Sequence, residues 1–266
     1  MKKGICKLCL EEKALLKKSH IIPDFMYQEM YNDKHKLEVF TNESILESDS
    51  RVKYPSSGEY ESNILCEGCD RGIIGSYESY ASELLYSKNI QQSTHRPYVK
   101  HFETYDKVRF SEYSNVNFKK LKLFLLSILW RSSISTRPFF RDIALNEHEE
   151  TIRRMIYEGN EGNEFDYPVI ISRFVGGNSS VEDGRLRRRD WILMPRVSIN
   201  SELKKFWFPI NGMIFQFFLV VNDERRSDVK WPFPSSDNKV IIFENPIEEM
   251  EHFVLKYTNL LSSSKL

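Results

Sequence analysis

Two pairs, Cys6-x2-Cys9 and Cys66-x2-Cys69, take up every cysteine of the 266-residue chain. A C-x2-C turn sets two thiolates on one side of a tight knuckle, and two such knuckles supply the four soft ligands that tetrahedral Zn2+ takes in a structural site. The spacing therefore predicts one zinc ion held by Cys6, Cys9, Cys66 and Cys69. The same residues also read as two disulfides, which need an oxidising compartment, or as a redox C-x2-C, which normally occurs singly near a βαβ pattern. A closed four-thiolate site has no open coordination position, so this zinc would staple the fold and leave the chemistry to the loop it closes.

That loop contains Ser19-His20-Ile21-Ile22-Pro23. Neutral imidazole titrates near pH 6.5, which lets it take a proton from water in neutral solution. The residue before a proline is pushed out of the helical region, so Ile21, Ile22 and Pro23 predict an extended segment that carries His20. Strand-like pieces over residues 36–40 and 51–55 lead to the second knuckle. Past Cys69, residues Ile73, Ile74, Tyr77, Tyr80, Ala81, Leu84 and Leu85 recur at three- and four-residue spacing and predict a helix with one apolar stripe. A blander reading keeps His20 as a packed or hydrogen-bonded structural histidine.

Cys6-x2-Cys9, then His20-Ile21-Ile22-Pro23, then Leu65-Cys66-x2-Cys69 resemble the HNH endonuclease family in its zinc-containing form, over roughly residues 6–88. The resemblance implies a ββα unit around one divalent ion, Mg2+ or similar, and hydrolysis of phosphodiester bonds in DNA. It makes His20 the general base, with Ser19 as its catalytic neighbour in the position where the family has a metal-holding aspartate. A hydroxyl is a far poorer ligand for a hard divalent ion than a carboxylate. Asp70, directly after the last cysteine, then becomes the replacement ligand, with Glu78 on the following helix and Glu61 as further oxygens. Such nucleases serve restriction, phage defence and mobile elements, and a bacterial phage-defence effector is the setting expected here. The rival from another class is a non-catalytic zinc-stapled module that binds nucleic acid or protein.

Charge bounds the partners. The chain has 38 Lys and Arg against 38 Asp and Glu, so no broad positive field collects nucleic acid and any such contact must be local. Arg185, Arg187, Arg188 and Arg189 are the local candidates, since arginine forks match phosphate oxygens; the same cluster also reads as a soluble hairpin tip. Lys119, Lys120, Lys122 and Arg131 add to a basic surface if they face outward. No run approaches the ~20 apolar residues of a membrane span, and the first residues lack the apolar core of a secretion signal. A cytoplasmic protein without membrane contact is expected.

The pattern changes beyond residue 112. Residues 118–130 are apolar on most faces and predict a buried helix; a second helix over 148–158 stops at Gly159. Strand-type runs over 167–175, 190–199, 204–210, 213–221 and 239–244 predict an antiparallel sheet. Asn211-Gly212 is a two-residue hairpin signal between two of them. A final amphipathic helix opens at Pro246. No nucleotide-binding loop or nucleophile elbow occurs. The expected fold class is α+β: a zinc-stapled ββα-metal, HNH-like module over residues 1–112, then an antiparallel-sheet domain flanked by helices over 113–266. The second unit would read substrate, bind a protein partner or sense a signal.

Overall fold

The computed structural model describes residues 2–39, 53–86, 97–163, 165–176, 191–200, 203–220 and 238–258. β1 (Lys2–Ile5) and β2 (Glu12–Leu15) form a hairpin with Ile5 opposite Glu12, and the turn between them carries the first cysteine pair. β3 (Ser19–His20) pairs antiparallel with β4 (Tyr60–Glu61), setting Ser19 opposite Glu61 and His20 opposite Tyr60. Successive strand side chains point to opposite faces, so buried Ser19 and Glu61 share one face of this ribbon. His20 and Tyr60 share the other. Residues 68–74 make a wide helical turn that runs into α1 (Gly75–Tyr86). The expected stripe is there: Ile74, Tyr77, Tyr80, Ala81 and Leu84 are buried, with Ile73 and Leu85 packed at its margin.

A hairpin of β5 (Tyr98–Glu103) and β6 (Arg109–Ser114) leads to α2 (Phe118–Ser133) and α3 (His148–Glu158). Asn117 caps α2, its side chain accepting from Lys120 N–H at 3.0 Å, which satisfies one of the orphan donors of a helix start. Every side chain from Leu121 to Ser132 is buried, as in a helix enclosed on all sides. Lys122 and Arg131 belong to that run, which corrects the expectation that they add to a basic surface: Lys122 Nζ donates to Asn163 O at 2.7 Å. α3 stops at Gly159, whose φ of 65° lies in the left-handed region that glycine enters without steric cost.

β7 (Val169–Val175), β8 (Arg196–Ile199), β9 (Leu203–Ile210), β10 (Met213–Val220) and β11 (Lys239–Pro246) complete a seven-stranded sheet of order β5-β6-β11-β7-β10-β9-β8. Asn211 and Gly212 have φ of 49° and 70° and Ile210 faces Met213 across them, the tight turn that Asn-Gly favours. The sheet is mixed, which corrects the antiparallel expectation: β11 runs parallel to β7 and antiparallel to β6. It lies between two strands of opposite direction and can oppose only one. The division expected between residues 112 and 113 falls inside β6.

Ile171, Phe206, Phe208, Phe215, Phe217, Val240 and Ile242 face the helices in a core that continues into Cys6, Ile21, Ile22 and Leu65. On the other sheet face, Phe174, Trp191 and Ile214 pack under Ile247 and Met250 at the start of α4 (Met250–Tyr257). Phe206 and Phe208 of β9 and Phe215 and Phe217 of β10 are therefore core. Among the described residues no helix is long and apolar enough to cross a membrane. Arg185, Arg187, Arg188 and Arg189 lie outside the described residues.

Candidate metal centre and histidine site

Cys6 and Cys9 sit in the β1–β2 turn, which Leu10 closes with a φ of 62° and an N–H bond to Cys6 O of 2.8 Å. Cys66 and Cys69 open the helical turn that precedes α1, where Asp70 N–H donates to Cys66 O at 2.9 Å. Backbone bonds hold the two knuckles together: Lys7 N–H to Ile64 O at 2.8 Å and Leu16 N–H to Leu65 O at 2.9 Å. Cys66 N–H points at Cys6 Sγ, 3.4 Å away. All four Sγ atoms lie within 4.8 Å of one another, and none is in a disulfide. Zn–S bonds of about 2.3 Å in a tetrahedron need S···S separations of roughly 3.8 Å, so small side-chain adjustments close the cage.

The electrostatics of the sulfurs agree. Burial acts to raise the Cys6 thiol, but N–H bonds from Cys9, Cys66 and Leu8 bring it below its ordinary value. Burial, with the neighbouring sulfurs, pushes Cys69 up, and burial raises Cys9 as well. One thiolate is accommodated while its neighbours resist ionising beside it. A divalent cation removes that conflict, so the group is compatible with a structural metal such as zinc.

The stapled segment presents His20. Its Nε2 lies 3.1 Å from Ser57 Oγ, and the Ser57 hydroxyl donates to Gly58 O at 3.2 Å. If the hydroxyl hydrogen stays on Gly58 O, Ser57 Oγ accepts from Nε2–H and the imidazole lone pair sits on Nδ1. Gly58 fixes the approach, because a Cβ there would lie 2.2 Å from a carbon of the Tyr27 ring.

Arg131 organises the inner side of the site. Its Nη1 donates to His20 O at 2.7 Å, its Nε donates to Ser127 O at 3.2 Å, and its Nη2 stands 2.8 Å from Glu78 Oε1. One guanidinium, 1% exposed, thus ties the His20 strand to α1 and α2. Burial raises the Asp70 carboxyl against the pull of Arg131, the Ser19 hydroxyl and His20. Glu78 is raised by burial too, against Arg131. Ser19 Oγ is fully buried and completes no hydrogen bond of good geometry. Ser19, His20, Asp70 and Glu78 therefore share one neighbourhood, with Arg131 at its centre. His20, Asp70 and Glu78 do not close into a ligand cage; among the described residues that arrangement belongs to the four cysteines.

Glu61 is committed elsewhere. Its Oε1 accepts from Ser135 Oγ at 3.0 Å, Thr136 N–H at 2.6 Å and Thr136 Oγ1 at 2.9 Å. Burial alone would raise this carboxyl, yet those donors bring it below the usual range. Stability from a depressed carboxylate is present above its unfolded pKa and lost as pH falls through the folded value. Glu61→Gln is expected to cost about 1.5–3 kcal/mol at neutral pH, the range for hydrogen bonds to a charged group, measured by urea unfolding. The gap to the wild type should narrow as pH falls through the depressed Glu61 value, where the wild-type side chain becomes neutral as well.

A second histidine with polar neighbours lies on the sheet. His101 Nδ1 is 2.7 Å from Ser111 Oγ, but Ser111 is buried and its hydroxyl donates to Glu244, which pairs with Arg173 at 2.6 Å. The hydroxyl hydrogen goes to the carboxylate and not to the imidazole, so the order of a nucleophile and its base is absent. This row of polar side chains fastens four neighbouring strands.

No family model matches the chain, no curated protein matches it, and no solved structure matches its fold.

Proposed function

We propose that the protein is an HNH-like endonuclease that hydrolyses phosphodiester bonds, in DNA by the family resemblance, with a divalent ion such as Mg2+ as cofactor. One observation carries the reading: His20 rides on a two-stranded ribbon with Nε2 3.1 Å from Ser57 Oγ, beside a helix that brings Asp70 and Glu78 into its neighbourhood. In this reading Nδ1 takes the proton of the attacking water. Ser57 supports Nε2–H while the ring becomes positive. A divalent ion, when bound, would neutralise charge developing on the phosphate. Mg2+ commonly takes one or two carboxylates together with substrate phosphate, so Asp70 and Ser19 are the oxygens that would hold it. Glu78 is engaged by Arg131 and is the less available. A phage-defence setting is attached on the resemblance alone.

The test is cleavage of supercoiled plasmid and single-stranded DNA with Mg2+ or Mn2+. His20→Ala is expected to lose at least ~10²-fold in rate, the usual contribution of a general base, with metal content and unfolding midpoint unchanged. A zinc-loaded wild type that cuts neither substrate with either ion overturns the reading. The Glu78–Arg131 pair favours a second one, a zinc-stapled module that binds nucleic acid or protein without cutting, because it neutralises one of the two carboxylates. That alternative expects binding without cleavage, and no effect of His20→Ala on either.

A further inference from the structure

The outward face of the β3–β4 ribbon carries more than His20. Strand alternation puts Lys18 on the side of His20 and Tyr60, and Lys18 Nζ sits 4.6 Å from the centroid of the Tyr60 ring. The Arg137 guanidinium reaches the same ring from the segment after α2, 5.0 Å from the centroid, and its Nε donates to Tyr60 O at 2.7 Å. The His20 ring meets Tyr60 edge-on, with centroids 6.4 Å apart.

Two cations on one ring repel each other, and an exposed cation–π contact returns only ~0.5–1 kcal/mol. A stability role alone accounts poorly for placing both there. Neither Lys18 nor Arg137 stands in an ion pair among the described residues. Glu59 and Glu61 feel the charge of Arg137 without pairing to it. In a chain of zero formal charge, these two cations stand beside the His20 imidazole on the outward face of the ribbon, where one bound strand could meet all three.

We propose that Lys18 and Arg137, braced on Tyr60, grip the sugar-phosphate backbone of a nucleic acid on one side of the phosphate offered to His20. The proposal rests on the nuclease reading above and adds the surface that places the strand. Arginine's fork matches phosphate oxygens and lysine adds a point charge; such contacts set position and register without reading sequence. An acidic protein segment would answer the same charges but would give His20 nothing to act on.

The experiment uses the full zinc-loaded chain carrying His20→Ala, so that substrate stays intact. Fluorescence anisotropy follows binding of two unrelated 30-mer duplexes across a salt series. Adding Lys18→Gln or Arg137→Gln should weaken both duplexes alike and lower the slope of log K against log salt by about 1 each. Lys18→Arg and Arg137→Lys should keep the slope. Arg137→Gln also removes the bond to Tyr60 O, so Lys18→Gln, which leaves that bond in place, decides if the Arg137 variant misfolds. A parent that binds DNA with a slope indifferent to Lys18→Gln overturns the proposal and leaves the nuclease reading standing. A parent that binds no DNA at low salt overturns both. Equal capture of polyglutamate, with the same loss in the variants, overturns the assignment to nucleic acid.

Discussion

Cys66→Ser should yield a protein that no longer retains zinc and whose N-terminal hairpin and ribbon are unfolded. The elements there are too short to hold themselves: β1 and β2 are four residues each, β3 and β4 two each, below the length at which isolated hairpins are even marginal in water. A four-thiolate zinc site contributes an apparent ~10–16 kcal/mol in small zinc modules, comparable with the whole net stability of a domain at about 5–15 kcal/mol. Even a loss of about 5 kcal/mol lowers a melting temperature by roughly 10–20 °C at this chain length. Metal analysis and thermal unfolding measure both effects, and a strong chelator added to the wild type should reproduce them. Hydrogen exchange should show lost protection around Cys6, Leu16, Leu65 and Cys69, with the β9–β10 hairpin still protected. A variant that melts like the wild type, or a wild type purified without metal under zinc-replete conditions, would contradict the stapling role.

The features legible from sequence are those whose physics is local. Two C-x2-C knuckles, a tight Asn211-Gly212 turn, the stripe of α1 and the all-round apolar character of α2 each follow from spacing within a few residues. Pairing choices between distant strands are not local. Nothing near β11 tells it to lie between β6 and β7, so its parallel contact with β7 was hidden. β5 is exposed at nearly every position and shows no alternation to read. Ser57 sits in a polar loop beside Gly58 and becomes a partner of His20 only when β3 and β4 pair. Arg131 left a faint signal. A lone cation at the end of a run such as Phe124–Trp130 cannot be buried unpaired, so its acid had to be sought elsewhere in the chain, and Glu78 on the facing helix is that acid.

Arg131→Met is therefore expected to cost about 3–5 kcal/mol, the usual penalty for removing one partner of a buried ion pair. Four attachments go at once: the pair with Glu78, the bond to His20 O and the bonds to Ser127 O and Ser127 Oγ. Glu78, already raised by burial with Arg131 opposing it, would rise further and be stabilised in its protonated form. Part of the loss should therefore return as pH falls through the raised Glu78 value, because the variant gains stability there, whereas the Glu61→Gln gap narrows because the wild type loses it. Arg131→Lys keeps the charge but not the fork that reaches His20 O and Glu78 together, so it should recover only part of the stability. The informative partner is the double variant Arg131→Met with Glu78→Met, in which no charge is left buried. It should be more stable than Arg131→Met alone, with a coupling energy of at least about 1 kcal/mol in a urea double-mutant cycle. Additive losses would mean that the two side chains do not depend on each other. A coupled result would make α2, which lies beyond residue 112, part of the histidine site itself: a fragment ending at residue 112 lacks Arg131 and both residues that hold Glu61.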